Sequence, residues 1–413
     1  MSVRSMQIRV NPVYLTAKTA VCLMEKAGIP GAAKIARALA LEDKALLPKM
    51  TDAETILGNA LVVEAKYRTM CRLIEASGIK TVVDLPCGYT PKAMYMTEHA
   101  RNFVGLDLPI VVQEVEPIIR PLVSKAAEAS FRGVDATNYP SLKAALHDVS
   151  GPLCIATEGM MMYFSEEEAD TVIANIQTLL REYGGCWITP DPEYALQFCG
   201  TFQAVFGEES LAKLMATKET AQDQSAVASF GNSFLVEPAA IPATKARANA
   251  LLAKHGLKAE MVNLGEQLPE LSLYKQLASD QIRRFKEAMR NCHYWLITLD
   301  EKKGLEDTAR HREEYPFGLQ YTLNEKILHL SLCGRLDTIS APELLIMWEK
   351  VNIGGSIEGV RIDCTRLEYI SSAGIRLLLK IQESCSSPIV FFRANEKVKE
   401  ILQQKGLGKM DEN

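Results

Sequence analysis

From Ile79 onward, short apolar, β-branched runs alternate with longer helical ones, and this alternation constrains the fold more than any other feature. Lys80–Leu85 (KTVVDL) reads as a buried strand followed by a helix over Lys92–His99. Asn102–Asp107 (NFVGLD) is the next strand, with a helix from about 109 to 126. Leu153–Ala156, Gly185–Thr189, Ala259–Leu264 and Tyr294–Leu299 continue the series. Glu166–Tyr183 is a helix that Ser165 and Glu168 open at capping-box spacing. Strands apolar on both faces, separated by helices, specify an α/β domain: a parallel sheet with helices on both sides.

The flanking segments differ. Between Pro12 and Pro30, Tyr14, Ala17, Val21 and Met24 recur at helical spacing; a second run lies between Pro30 and Pro48. A third helix starts at Thr51-Asp52 and carries Ile56, Leu57, Leu61, Val62 and Ala65. Residues 193–250 interrupt the alternation with a mixed insertion placed to cover a pocket. Asp300–Glu314 (DEKKGLEDTARHREE) is almost wholly polar. We therefore expect a domain over 1–305 with a helical part at 1–78, a linker at 306–315, and a second domain over 316–413. In the latter, Leu328, Leu330 and Leu332 alternate with His329 and Ser331 as a half-buried strand. Helices over 342–351, 374–384 and 397–404 and strands over 360–363 and 388–392 complete a small α/β unit.

Composition narrows the function. Lys and Arg total 46 against 51 Asp and Glu, a net charge of −5, so no global basic field attracts nucleic acid or anionic lipid. No apolar run reaches the roughly 18–20 residues that span a membrane, and the start lacks the apolar core of a signal peptide. The 10 cysteines form no CxxC pattern and read as reduced thiols of a cytoplasmic protein, with no metal site expected.

The strand ending at Asp84 runs into Leu85-Pro86-Cys87-Gly88-Tyr89-Thr90-Pro91 and then a helix. Open α/β sheets bind nucleotides at such a place, beside strand carboxyl ends and helix N-termini. Asp107 ends the next strand, where a carboxylate can accept both ribose hydroxyls. The turn holds one glycine rather than GxGxxG, so a pyrophosphate finds no cradle. A nucleoside ligand without phosphate fits better, and S-adenosylmethionine is the commonest. Asp135, in GVDAT, can accept from an adenine amine. ATEGMMMYF (156–164) brings Glu158, Gly159 and an apolar Met run to the same edge.

VVDLPCGYTP, VGLDLP, GVDAT and ATEGMMMYFSEEE, in this order, resemble the leucine carboxyl methyltransferase-like family, nearest to its polyketide-type O-methyltransferases. The resemblance covers roughly residues 1–300. It implies a Rossmann-like domain that binds S-adenosylmethionine and methylates an oxygen of a small-molecule acceptor, carboxylate or hydroxyl. The cofactor residues it implies are Arg68, Asp84, Pro86, Gly88, Asp107, Leu108, Asp135, Ala136, Glu158 and Gly159. Arg68 is the best positional match for the family's cofactor-carboxylate arginine, with Lys66 and Arg72 close by. Pro86 and Thr90 depart from the family's usual turn, DLGCGLDTR. A carboxylate acceptor needs no general base, whereas a hydroxyl does. Glu158, Asp191 and His293 are the available bases, and Tyr163, Asp191 and His293 are assigned to the acceptor side. No catalytic residue is fixed by the sequence.

In the small domain, GRLD (334–337) followed by YISSAGIRLLL (369–379) closely resembles the STAS domain of anti-sigma factor antagonists. The family places a phosphorylated serine at Ser372. The implied partners are an anti-sigma factor or kinase, or a second copy through self-association. Two function classes follow: a methyltransferase regulated, localised or dimerised by its STAS domain, or a non-catalytic metabolite sensor that binds an anti-sigma factor.

Overall fold

The computed structural model of the protein describes residues 13–41, 52–212, 241–300 and 316–411. These fall into two compact units, 13–300 and 316–411. The linker expected at 306–315, Thr51 and residues 213–240 of the insertion lie outside the described residues.

The larger unit starts with helices α1 (Val13–Lys26), α2 (Ala32–Ala38) and α3 (Ala53–Ala76). Asp52 caps α3, its carboxylate accepting from the Thr55 N–H at 2.8 Å. Seven strands follow: β1 (Thr81–Asp84), β2 (Asn102–Asp107), β3 (Ala129–Gly133), β4 (Leu153–Ala156), β5 (Gly185–Thr189), β6 (Leu257–Asn263) and β7 (His293–Leu299). Their order is β3-β2-β1-β4-β5-β7-β6. Between the strands run α4 (Lys92–Glu98), α5 (Pro109–Ile119), α6 (Tyr139–Ala145), α7 (Glu166–Tyr183), α8 (Tyr194–Thr201), α9 (Ile241–Lys254) and α10 (Ser279–Met289).

This is a Rossmann-like doubly wound sheet through β5. The chain moves outward from β1 to β3, returns to β4 beside β1, and continues outward the other way. A crevice therefore opens at the carboxyl ends of β1 and β4, where the winding reverses. Val83, Leu106, Ile155, Trp187 and Ile297 pack on Val172, Ile176 and Leu179 of α7, all nearly excluded from solvent. The capping box forms as expected: Ser165 Oγ accepts from Glu168 N, and Glu168 Oε2 accepts from Ser165 N at 2.9 Å.

Three features differ from expectation. β7 runs antiparallel and sits between β5 and β6. An apolar run signals burial, not direction. The helix after β2 ends at Ile119, two residues before Pro121, and a single 3-10 turn (Arg120–Leu122) replaces its last stretch. The edge strand β3 carries no strand pattern in the sequence, because only Phe131 is buried in ASFRG.

The smaller unit is a five-stranded sheet of order β12-β11-β10-β9-β8. The strands are β8 (Gly318–Asn324), β9 (Ile327–Leu336), β10 (Gly359–Ile370), β11 (Val390–Phe392) and β12 (Lys409–Asp411). All neighbours are parallel except the β8–β9 hairpin. Helices α11 (Ala341–Val351), α12 (Ser372–Glu383) and α13 (Glu396–Gln404) complete the unit. Leu328, Leu330, Leu332 and Leu336 of β9 pack on Leu344, Leu345, Leu378 and Ile381. β8 and β12, both edge strands, carry too few buried residues to show an apolar period.

All ten cysteines are free thiols, eight of them buried. Among the described residues no helix is long and apolar enough to cross a membrane.

Gly374 fixes how α12 lies on β9: a Cβ there would stand 2.5 Å from the Leu336 carbonyl oxygen. Gly374→Ala should destabilise the smaller unit by about 1–3 kcal/mol. Gly200→Ala, whose Cβ meets nothing closer than 3.9 Å in α8, should be neutral or slightly stabilising. Urea unfolding of the full chain measures both.

Candidate functional site

At the crevice β1 ends in Asp84, and the chain turns through Leu85, a cis peptide to Pro86, Cys87 and Gly88. Gly88 has φ +52°, the left-handed region that favours glycine. Its N–H donates to Asp107 Oδ2 at 2.7 Å, and the Leu108 N–H donates to Asp107 Oδ1 at 2.7 Å. The last residue of β2 is thus locked onto the turn after β1. Burial pushes the Asp107 carboxyl up to about 7, although both N–H bonds favour the anion. A Cβ on Gly88 would meet only Thr90, at 3.9 Å, so the space over the turn is open. Cys87 beside it is buried, and its thiol is held well above its usual range by burial and by Asp107 and Asp84.

Beneath the turn lies a group of buried charges. Lys92, the first residue of α4, donates to Asp84 Oδ1 at 2.6 Å, with both side chains almost fully buried. Asp84 Oδ2 has no hydrogen-bond partner among the described residues. Burial raises the Asp84 carboxyl against the pull of Lys92. Lys66 of α3 stands 3.5 Å from Glu158 Oε1, its ammonium 3.9 Å from the centre of the Tyr194 ring. Burial lowers the Lys66 pKa, opposed by Glu158 and Asp191, while Lys92 lowers it further. Lys66 is thus close enough to Glu158, Asp191 and Lys92 to feel all three charges.

Asp135 follows β3 and accepts from the Thr137 N–H at 2.8 Å and hydroxyl at 2.7 Å. The Ala136 carbonyl accepts from Asn175 of α7. Gly159 follows Glu158 with φ +68°. Asp191 takes the Gly159 N–H on one oxygen (2.7 Å) and those of Met160 and Met161 on the other (3.0 and 2.9 Å). Both of its oxygens thus hold the loop that carries Glu158. Tyr163 and Tyr194 are both half-buried, and desolvation, helped by the nearby Tyr163, Asp191 and Glu158, raises the Tyr194 pKa.

Arg68 pairs with buried Glu64 at 2.7 Å and lines a cavity between α3 and α4 with Tyr67, Cys71, Arg72 and Met94. The cation that the fold brings to Glu158 is Lys66. Sequence spacing offered three cations within two helical turns. α3 is buried around much of its circumference, so its periodicity could not single one out.

His293, the first residue of β7, lies against Glu193, a residue the sequence reading missed. Glu193 Oε2 accepts from the His293 N–H at 2.9 Å and stands 3.3 Å from His293 Nδ1. Glu193 Oε1 receives Trp295 Nε1 at 3.2 Å and Lys245 Nζ at 2.7 Å.

In the smaller unit, Ser371 is the buried cap of α12, its hydroxyl accepting from the Ala373 and Gly374 N–H groups. Ser372 is the first helical residue and is partly exposed. Arg335 lies over the Tyr369 ring, 4.1 Å from its centre, and reaches Asp337 at 3.4 Å.

No curated protein matches the chain. Residues 319–412 match the family described as Mlab, STAS domain. The C-terminal unit is a STAS domain. Among solved structures, the chain is similar to the anti-sigma factor antagonist SpoIIAA in its unphosphorylated form. The identity is 15% and the TM-score 0.21, over 24% of this chain and 89% of that one. It is also similar to magnesium protoporphyrin IX methyltransferase (ChlM) from Synechocystis PCC 6803 with bound SAH. That match has 11% identity and a TM-score of 0.35, over 60% of this chain and 90% of the other. A third is an O-methyltransferase family protein from Burkholderia thailandensis, at 12% identity and a TM-score of 0.32, over 68% and 71%. Identities and TM-scores of this size assign neither activity nor substrate.

Lys92→Met leaves Asp84 buried without its cation and should cost about 3–5 kcal/mol. The loss should grow with pH, because the lone carboxyl must then ionise without a partner. Adding Asp84→Asn should restore most of it, as urea unfolding of the cycle at two pH values would show. In the STAS domain, Ser371→Ala should cost about 1 kcal/mol and Ser372→Ala much less, by the same measurement.

Proposed function

We propose that the larger unit is an S-adenosylmethionine-dependent O-methyltransferase for a small-molecule acceptor, and that the STAS domain is its interaction or regulatory module. The observation that carries this reading is the turn after β1: open above Gly88, lacking a phosphate cradle, and locked to a carboxylate that faces it from the end of β2. Asp107 would hold the ribose hydroxyls and Asp135 the adenine amine. Lys66 would hold the cofactor's carboxylate. Asp84, with an unpartnered buried oxygen, and Glu158 are the acceptors available to its ammonium. Pro86, Leu108, Ala136 and Gly159 shape the floor and edges, while Arg68 serves α3 through Glu64. The finer resemblance to leucine carboxyl methyltransferase-like enzymes rests on the same four sequence segments.

The bound cofactor supplies an electrophilic methyl group on a cationic sulfonium. Positive charge disperses as the methyl transfers, so the protein's work is to position the acceptor and exclude water. Half-buried Tyr194, whose ring centre lies 3.9 Å from the Lys66 ammonium, would supply apolar surface beside the site, while Met160 and Met161 pack into the core beneath the loop. In the STAS domain, exposure favours Ser372 over Ser371 as the residue a kinase can reach. A phosphate there would add about −1.5 to −2 charges at the start of α12.

Calorimetric titration of the full chain with S-adenosylmethionine tests the reading. Lys66→Met and Asp107→Asn should each weaken binding about 10–100-fold, and Arg68→Met should weaken it far less. Ligand ribose hydroxyls favour the Asp107 anion, which is lost as pH falls through about 7. Affinity should therefore drop several-fold between pH 8 and pH 6, and Asp107→Asn should flatten that dependence. A folded wild-type protein, free of co-purified cofactor, that binds none would overturn the proposal.

A further inference from the structure

At the amino ends of β4 and β5, two cysteines stand side by side. The strands are parallel neighbours, and Cys154 is the direct register partner of Cys186. Their side chains therefore lie on the same face of the sheet. Neighbouring strands are about 4.7–4.9 Å apart, inside the roughly 4.4–6.8 Å between Cα atoms that a disulfide spans. The two thiols are within hydrogen-bonding reach of each other. Both are free, with Cys154 fully buried and Cys186 6% exposed.

One residue earlier the backbone sets this approach. Leu153 pairs with Gly185, whose φ is +105°. A Cβ on Gly185 would stand 2.0 Å from the Leu153 carbonyl oxygen and 2.7 Å from the Leu153 nitrogen. Only a glycine lets the start of β5 close on β4 just where the cysteines follow. Gly185 is itself exposed, so the dithiol begins one residue inside the surface.

The surroundings separate this pair from the other buried cysteines. Burial pushes the thiols of Cys71, Cys292 and Cys364 each up to about 12, as expected of inert core residues. Cys154 donates to Cys186, and that bond holds the Cys186 thiol below its usual range against its own desolvation. The same bond, with burial, holds Cys154 well above its range, while Ser77 and the Arg101 charge pull it down. Arg101 donates to the Ile79 and Glu75 carbonyls, but its buried Nε has no hydrogen-bond partner among the described residues. A cation beside two touching thiols favours the thiolate, which is the reactive form.

We propose that Cys154 and Cys186 form a reversible dithiol–disulfide site, with Cys186 the attacking and Cys154 the resolving thiol, and that its oxidant is a small hydroperoxide. The Cys186 sulfur attacks the O–O bond and keeps one oxygen as a sulfenic acid. The other oxygen leaves with the bonding pair and takes up a proton. The Cys154 sulfur then displaces the sulfenic hydroxyl, which departs as water with the Cys154 proton. Two thiols have lost two electrons in all, and one hydroperoxide has gained them. An external dithiol reverses the change by exchange. Across parallel strands the Cβ atoms sit near the strand spacing, wider than the roughly 3.5–4.5 Å usual in disulfides, which makes the bond readily reducible. The site lies at the end of the strands opposite the proposed cofactor residues and does not depend on the methyl-transfer reading.

Hydrogen peroxide is the probe. The full chain is reduced, freed of reductant, treated with peroxide, denatured in an alkylating agent and digested without reduction. Mass spectrometry should find two of the ten thiols lost, a peptide cross-linked through Cys154 and Cys186, and full recovery after dithiothreitol. Trypsin cleaves after Arg181, between the two cysteines, so the cross-link is read directly. Cys186→Ala should slow thiol loss at least about tenfold. Cys154→Ala should accumulate a sulfenic acid at Cys186 that dimedone traps. Circular dichroism confirms that each chain is folded. If both cysteines of the folded wild-type chain stay open to alkylation under peroxide, whether or not thiols elsewhere are consumed, the proposal is overturned. Sulfenic acid trapped on Cys154 in Cys186→Ala, with none on Cys186 in Cys154→Ala, would overturn the assignment of the attacking thiol.

Discussion

The site depends on one link: the Asp107 carboxylate bonded to the Gly88 N–H. Residues 19 positions apart are held together at the ends of neighbouring strands, and a second bond from Leu108 stops the carboxylate from turning away. The link needs Gly88 in a left-handed conformation, β1 and β2 in register, and α5 starting immediately after Asp107. Each requirement is met by local sequence: a glycine, two apolar runs, and a proline at position 109. Burying the carboxylate disfavours its charge, and two N–H donors only partly compensate. The group is poised to gain from further donors, such as a vicinal diol.

A second constraint is the concentration of charge under the turn. Asp84 and Lys92 are both nearly inaccessible, as is Lys66 nearby. Ion pairs of this kind seldom add net stability, because desolvation offsets their attraction. Their value lies in holding direction. Lys92 engages one Asp84 oxygen and leaves the other buried with no hydrogen-bond partner among the described residues.

Much of this was legible in the sequence because it is local. The first two strands, the long α7 with its capping box, the glycine turn and the strand-end aspartate all follow from patterns a few residues long. What escaped was set by packing between distant segments. Glu193 and His293 are 100 positions apart, and nothing in DPE or NCHYW links them. Asp191 reads in sequence as an available base, but its oxygens accept from three loop N–H groups. Lys66, Arg68 and Arg72 could not be ranked because α3 is buried around much of its circumference. Strands β3, β8 and β12 bury too few residues to leave an apolar rhythm in the sequence. In the STAS domain the two adjacent serines separate only in three dimensions, Ser371 turned inward to the helix amides and Ser372 left at the surface.

The reversed strand β7 puts a ladder-anchored residue at the edge where the other strands of the winding hand over to loops. At the active edge of a parallel sheet every strand finishes, so functional groups there sit on departing loops that change readily. β7 instead begins at that edge. Its first side chain is anchored by the six residues that follow it in the ladder and by Tyr294 bonded to α3. Loops around the crevice can therefore lengthen, shorten or exchange residues without moving His293. Such an arrangement sets one fixed element among replaceable loops along a single edge of the sheet.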